Sequence, residues 1–216
     1  MFPERLTKGY RAFLEGRFAV ERGRYQTLAG SGQSPSIMVI GCVDSRVSPE
    51  VIFDAAPGEL LVARNVANLV PRYEAPTTPD TDISHQHGTS AALEFAVRAL
   101  KVAHIVVLGH AFCGGIKAFA SDDAPLTSSD FIGRWMRQIE PAAEAVAAPK
   151  SDWESYLRQL EFASVELSLK NLMTFPFVKS AVEEGVLKLH GAYFGVASGR
   201  LLVRNDATGV FEPVGD

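Results

Sequence analysis

Short apolar runs alternate along the chain with stretches of mixed character. The runs at 37–42 and 105–109 are bounded by turn residues and leave no polar face, as is typical of buried parallel strands. Between them, the stretch 93–100 repeats its apolar side chains at helical spacing. Two later strand-like segments, 186–194 and 200–203, predict a hairpin that closes the sheet. The pattern predicts an α/β fold with a mainly parallel central sheet flanked by helices.

The amino-terminal part of the chain has a different pattern. Its apolar residues recur at helical spacing with charges between them, and a loop rich in Gly and Ser follows over 30–35. We therefore predict a helical arm over 1–35 and an α/β core over 36–216, together forming a single domain. The sequence pattern leaves open whether the arm packs on its own core or on a second subunit. The apolar residues of the arm are Leu6, Tyr10, Phe13, Leu14 and Phe18.

Two predicted helices begin at recognisable capping residues. Ser48 precedes Pro49 and is expected to be the N-cap of a short helix. Ser151 and Glu154 have the spacing of a capping box, which predicts the start of a longer helix.

Composition narrows the class of protein. A chain of 216 residues that is 47% hydrophobic can bury a substantial core. A net charge of -4 without a basic tract argues against nucleic acid or an anionic membrane as partner. No run approaches the ~18 apolar residues of a membrane span, and the amino terminus lacks the apolar region of a signal peptide. We expect a soluble, cytoplasmic protein that acts on a small molecule.

The candidate chemistry lies where the two central strands end. Cys42 closes the first apolar run, and His110 and Cys113 follow the second. Parallel sheets gather ligands at the carboxyl ends of their strands, so these side chains should meet. Two sulfurs and one imidazole are preferred ligands of Zn²⁺, and three protein ligands leave one position for water. A disulfide between the two cysteines is the alternative, although such bridges rarely persist in a reducing compartment.

The motifs Cys42-x-Asp44-Ser45-Arg46 and His110-x-x-Cys113 together resemble the pattern of the β-class carbonic anhydrases. Further segments that resemble this family extend the likeness over nearly the whole chain. The resemblance implies the mainly parallel α/β fold, a zinc ion on two cysteines and a histidine, and reversible hydration of carbon dioxide to bicarbonate and a proton. It also implies homodimers or homotetramers, with the N-terminal helices embracing the partner and the active sites near the subunit boundary. The further segments are 63–70, 93–96, 106–110, 113–116 and 171–176.

The acidic and basic residues of the first motif are candidates for catalysis. Asp44 is expected to accept a hydrogen bond from zinc-bound hydroxide and to orient it toward the substrate carbon. Arg46 is expected to hold Asp44 ionised through a charge-assisted pair. Turn chemistry with a surface ion pair is the plainer interpretation, which the adjacent candidate ligands disfavour.

Asp44 has a competing role in some members of the family, where it binds zinc and closes the site. Bicarbonate favours that closed form through a tryptophan, an arginine and a tyrosine. The matching positions here are Val39, Arg64 and Phe194, so only the arginine is kept. We therefore predict a site that is open at neutral pH and lacks this bicarbonate inhibition.

Five positions match the substrate pocket of the family. Gln33 matches a glutamine that donates to the substrate, and Val66, Phe95 and Gly114 match pocket-lining positions. Leu61 stands where plant-like members often have phenylalanine, so the pocket is expected to keep an apolar wall. Simple core positions are an equal alternative for Leu61 and Phe95.

Other functions fit the same motifs. Hydrolysis of carbonyl sulfide or carbon disulfide would use the same ligands. Access to the pocket, and not the ligand set, would decide which of these substrates reacts. A noncatalytic zinc protein would instead have a sealed site with four ligands.

Four further histidines lack comparable partners, and only the pair on the loop is a weak candidate for a ligand. They are His85, His87, His104 and His190.

Overall fold

The computed structural model describes residues 1–75, 88–121 and 123–215, and its centre is a six-stranded sheet in the order β2-β1-β3-β4-β5-β6. The first four strands along the chain pair in parallel, whereas β5 and β6 pair antiparallel at one edge. This arrangement confirms the predicted fold class and the predicted hairpin, while β6 is an addition. The strands are β1 Ile37–Cys42, β2 Leu60–Asn65, β3 His104–His110, β4 Lys188–Phe194, β5 Leu201–Arg204 and β6 Phe211–Pro213.

Helices cover both faces of the sheet and form the amino-terminal arm. The helix α4 continues directly into a π-helical turn at Phe95–Leu100. In the described part of the chain, no helix has the length and apolar composition needed to cross a bilayer. The helices are α1 Glu4–Glu15, α2 Arg17–Ser31, α3 Pro49–Ile52, α4 Gly88–Glu94, α5 Gly114–Ala120, α6 Phe131–Met136, α7 Glu140–Glu144, α8 Trp153–Leu172 and α9 Pro176–Glu183.

The central strands are buried on both faces, as their uninterrupted apolar runs predicted. Met38 and Ile40 of β1 point into one core cluster, together with Ile105 of β3 and Leu172 of α8. Val39 points to the opposite face and into a second cluster. This alternation follows from the period of two in a strand. The ends of β1 and β3 are thereby buried.

The arm is a pair of helices with little cover from its own core. No side chain of α1 or α2 is buried. Arg17 and Arg24 of α2 donate to the carbonyls of Ala55 and Pro57, at 3.1 and 2.5 Å. Tyr10 on α1 remains 60% exposed. The apolar face of α1 is therefore available to another surface.

The predicted caps are right in one place and wrong in the other. Ser48 is the N-cap residue of α3, but its hydroxyl donates to Glu50 at 2.8 Å rather than capping the backbone. The capping box at Ser151 does not form. Asp152 is instead the N-cap of α8, and its carboxylate accepts from the Ser155 amide at 3.3 Å.

The packing of β3 against α8 requires a residue without a side chain at Gly109, and replacing this glycine tests the fold. A Cβ at Gly109 would lie 2.6 Å from Cγ2 of Val165, a short side chain that cannot swing away. We expect Gly109→Ala to lower the free energy of unfolding by about 1–3 kcal/mol through overpacking. Denaturant unfolding followed by circular dichroism measures this loss.

Gly23→Ala is the matched control, since a Cβ there meets nothing within 4 Å in the interior of α2. It should raise stability by about 0.5–1 kcal/mol through helix propensity. Equal unfolding midpoints for the two variants would contradict the packing described.

Candidate metal centre

The parallel pairing of β1 with β3 brings the three candidate ligands together. Gly41 is aligned with Leu108, so Cys42 and His110 lie at neighbouring carboxyl ends. Cys113 returns to the same point after a short turn and is the N-cap of α5. Within the described residues these three form the one cluster suited to a metal, with their ligand atoms within 4.8 Å of one another. All three side chains are buried.

The ring of His110 has the arrangement that a metal ligand needs. Its Nδ1 lies 3.0 Å from the carbonyl oxygen of Ala111. Because a carbonyl can only accept, Nδ1 carries a proton, and in the neutral ring Nε2 then keeps a lone pair. Among the described residues Nε2 is buried without a hydrogen-bond partner. A cation between the ring and the sulfurs would satisfy this atom.

The two cysteines are free, and each influences the ionisation of the other. A hydrogen bond from the Cys113 thiol lowers the pKa of Cys42. The same hydrogen bond, together with burial, raises the pKa of Cys113. Two neighbouring thiolates therefore need a positive charge beside them, and a divalent cation supplies it. The donor set thus fits Zn²⁺, and the disulfide alternative does not apply to this structure.

Asp44 and Arg46 form a bidentate ion pair beside the cluster. Nε and Nη2 of Arg46 donate to Oδ1 and Oδ2 of Asp44 at 2.9 and 2.6 Å, and the Arg46 amide donates to Oδ1 at 3.0 Å. The guanidinium holds the pKa of Asp44 well below its usual range. Nη2 of Arg46 also reaches the carbonyl of Phe112 at 3.0 Å, which links the Asp44 loop to the turn before Cys113.

Arg64 has a contact that the sequence did not suggest. Its Nε and Nη2 donate to the carbonyl oxygens of Cys42 and Asp44, each at 2.7 Å. The side chain therefore fixes the backbone on which a candidate ligand and the acidic residue are carried. The register of β1 with β2 explains the reach of this side chain, because it aligns Arg64 with Gly41, one position before Cys42.

Glu161 is a second residue that the sequence analysis missed. It projects from α8 and is only 5% exposed. Oε1 accepts the Cys113 amide at 3.0 Å, and Oε2 accepts the Tyr193 hydroxyl at 2.6 Å. Burial raises the pKa of this carboxyl, and the two hydrogen bonds oppose that shift. One feature could have pointed to Glu161: it is an acidic residue that lies with Leu160 and Ser164 on the buried face of α8.

Only two of the five proposed pocket residues lie at the cluster. Gly114 follows Cys113 directly, and Val66 packs against Gly115, where a Cβ would be 2.7 Å from Cγ1 of Val66. Gly115 must therefore lack a side chain.

The other three lie elsewhere in the same chain. Leu61 is aligned with Met38, four positions before Cys42 and so roughly 13 Å along the strand. It packs against the core around Met38. Gln33 is exposed after α2, and Phe95 is 47% exposed. No hydrogen bond or apolar cluster of the described residues joins these three side chains to the ligands.

The remaining candidates are also placed. Val39 is buried inside the sheet, and Phe194 ends β4 opposite His110. His104 and His190 contact each other at 3.1 Å near the amino-terminal ends of their strands. The two loop histidines, 85 and 87, lie outside the described residues.

Comparison with known proteins identifies the family. A family model described as "Carbonic anhydrase" matches residues 37–201. Beta carbonic anhydrase 3 of Arabidopsis thaliana is 34% identical over 200 residues, covering 91% of this chain and 74% of that protein. Beta carbonic anhydrase 5, chloroplastic, of the same plant is 36% identical over 185 residues, covering 85% of this chain. The chain spans only 58% of the length of that second relative.

Solved structures agree with the sequence matches. The β-carbonic anhydrase CcaA superposes with a TM-score of 0.88 at 30% identity, covering 99% of this chain and 92% of its own. A tetrameric β-carbonic anhydrase of Sordaria macrospora gives 0.75 at 31% identity, covering 95% and 96%. A Coccomyxa β-carbonic anhydrase in complex with acetazolamide gives 0.76 at 27% identity, covering 98% and 87%. Because the family model matches residues 37–201 and these relatives share both sequence and fold with this protein, the chain belongs to the β-carbonic anhydrase family.

Proposed function

We propose that this protein catalyses the reversible hydration of carbon dioxide to bicarbonate and a proton, with Zn²⁺ held by Cys42, His110 and Cys113. The observation that carries the proposal is the convergence of the three donor atoms within 4.8 Å, in a chain of this family. Three protein ligands leave a tetrahedral zinc ion one open position. Zinc at such a site supplies a water molecule of lowered pKa as the nucleophile.

The charge of the ligand set makes neighbouring residues important. Two thiolates offset the formal charge of the metal, so the site acidifies water less than three neutral imidazoles would. Asp44 offers an ionised carboxylate that can only accept hydrogen bonds. Its proposed role is to accept a hydrogen bond from the reacting oxygen species, so that a lone pair of that oxygen points toward carbon dioxide. Arg46 keeps that carboxylate ionised and fixes its orientation through two hydrogen bonds.

The contacts around Asp44 support a site that is open at neutral pH. Both carboxylate oxygens are engaged by Arg46, and the carboxylate is not part of the cluster of candidate ligands. Arg64 is engaged with two backbone carbonyls. Val39 and Phe194 offer no polar side-chain atom to bicarbonate. We therefore expect none of the inhibition that a tryptophan, an arginine and a tyrosine provide in other members.

A second subunit is part of the proposal. Gln33, Leu61 and Phe95 can line the substrate path at the metal only if another chain brings them there. The exposed apolar face of α1 supports an assembly of this kind, and the Sordaria relative is described as tetrameric. We propose a homodimer or homotetramer in which the arm contacts the partner. A cytoplasmic location stays a prediction, since one relative is described as chloroplastic.

The alternative functions receive less support. Hydrolysis of carbonyl sulfide or carbon disulfide would use the same three ligands, and no contact among the described residues favours it. A sealed zinc site needs a fourth protein ligand, and the cluster of described residues has three.

Asp44→Asn tests the proposed mechanism. The amide cannot serve as a purely accepting, charged group, so we expect the rate of carbon dioxide hydration to fall at least ~100-fold. Stopped-flow hydration assays give the rate, and elemental analysis should still find zinc bound to every chain. Glu183→Gln, which changes a carboxylate that is 63% exposed on α9, is the control and should keep the wild-type rate. An Asp44→Asn variant that binds zinc and keeps most of the rate would refute the assigned role.

If Asp44 does not bind zinc at neutral pH, two results follow, one for the crystal structure and one for the response of the rate to bicarbonate. In zinc-loaded crystals grown at pH 7.5, Asp44 should remain bonded to Arg46, because both of its carboxylate oxygens already accept hydrogen bonds from that guanidinium. Added bicarbonate should slow hydration only as far as the reverse reaction accounts for. Density that joins Asp44 to zinc at this pH, or a cooperative loss of rate with bicarbonate, would show the prediction to be wrong.

The proposed role of the arm can be tested through the number of chains in the assembly. We expect Tyr10→Glu to shift the protein toward the mass of a single 23.4 kDa chain, because it places a charge on the apolar face of α1. Light scattering coupled to size-exclusion chromatography measures the mass. Lys8→Glu, on an exposed and charged position of the same helix, should leave the assembly unchanged. A wild-type protein that is already monomeric would contradict the proposed role of the arm.

A further inference from the structure

The turn that carries two of the candidate ligands is strained. Between His110 and Cys113, Phe112 has φ of 58°, in the left-handed region that a bulky side chain rarely adopts. Such a conformation persists only where surrounding contacts fix it. The position of the Cys113 sulfur therefore depends on what holds this turn.

Contacts from three directions hold the turn. Before Phe112, the Ala111 amide donates to the Phe194 carbonyl at 2.9 Å. At Phe112 itself, Arg46 donates to the carbonyl at 3.0 Å. On Cys113, the backbone amide donates to Glu161 at 3.0 Å. Of these contacts, the one with Glu161 acts on the ligand residue directly.

The Cys113 amide has a specific need for this acceptor. As the N-cap residue of α5, Cys113 has an amide that precedes the helical hydrogen-bond ladder. The residue is 2% exposed, so water cannot readily serve the amide. Glu161 reaches it from α8, and Tyr193 on β4 fixes the carboxylate by donating to its other oxygen at 2.6 Å.

Stability alone does not readily explain a carboxylate in this place. Removing a carboxylate from water is costly, and apolar side chains of similar volume often serve a core as well or better. Neither Glu161 nor Tyr193 is among the candidate ligands or the five residues that the sequence predicted for the substrate pocket. What the pair contributes is a rigid acceptor aimed at one backbone amide.

We propose that Glu161, oriented by Tyr193, is a positioning residue that holds the Cys113 sulfur in place for the metal. The inference rests on the proposed function in that it requires the site to bind a divalent metal. It goes further by assigning part of the metal affinity to a residue that is not one of the three candidate ligands.

The test compares metal affinity with the stability of the metal-free protein. Competition between each variant and a chromophoric chelator for Zn²⁺ gives the affinity, and thermal unfolding of the metal-free form monitors the fold. Glu161→Leu should weaken Zn²⁺ binding about 10–100-fold, the range known for partners of metal ligands. Glu161→Gln keeps an oxygen for the Cys113 amide and should stay within about threefold of wild type. Tyr193→Phe should weaken binding by about 3–10-fold, since the carboxylate remains but is less fixed.

Ser168→Ala is the control from the same helix. Ser168 is also buried, but it bonds to the Val70 amide at 3.2 Å and not to the ligand turn. The inference predicts that this variant keeps wild-type affinity whatever it does to unfolding.

The outcomes separate the two proposals. If wild type binds Zn²⁺ and Glu161→Leu binds it equally well, the inference is wrong while the proposed function stands. It is also wrong if Ser168→Ala loses as much affinity as Glu161→Leu. Should Glu161→Leu fail to fold, wild-type affinity in Tyr193→Phe overturns the inference and weaker binding supports it. A wild-type protein that binds no divalent metal overturns the proposed function together with this inference.

Discussion

The parallel pairing of β1 with β3 is the constraint on which the site depends. Backbone hydrogen bonds fix the register of these strands, so the residues at their carboxyl ends lie side by side. Cys42 and His110 are far apart along the chain, and only this register brings them together. Cys113 then needs one short turn to join them. The buried layers on both faces keep the strand ends from moving apart.

Arginine side chains connect the segments that meet at this edge. Arg46 joins the Asp44 carboxylate to the Phe112 carbonyl, and Arg64 joins two carbonyls of the Cys42–Asp44 segment. Each guanidinium has several donors in a fixed plane and can hold two groups at once. The loop after β1 and the turn after β3 are therefore fixed to each other. Asp44 is consequently presented in one orientation, which suits a group that must orient a reacting molecule.

Sequence patterns predicted the part of the structure that depends on local periodicity. The bounds of β1 at 37–42, the α/β class and the meeting of Cys42, His110 and Cys113 follow from apolar runs and from the geometry of parallel sheets. Glu161 could not be assigned, because its partner Cys113 is 48 residues away and only the packing of α8 joins them.

Other outcomes depend on details that a pattern does not contain. Ser151 and Asp152 are both good N-caps, and the sequence pattern does not say which of the two precedes the first turn of α8. Roles for Gln33, Leu61 and Phe95 at the metal remain predictions, because in a single chain these residues lie away from the ligands. Contacts between subunits leave no periodic signal in a sequence, so a subunit boundary cannot be placed on these residues by pattern alone.

The central claim is that two sulfurs and one imidazole nitrogen hold a single zinc ion with one position left for solvent. X-ray absorption at the zinc edge of the purified protein tests it most directly. The account predicts two sulfur neighbours at about 2.3 Å and two lighter neighbours at about 2.0–2.1 Å, one of them an imidazole. A zinc ion with any other number of sulfur neighbours, or a purified protein that binds no zinc, would contradict the account.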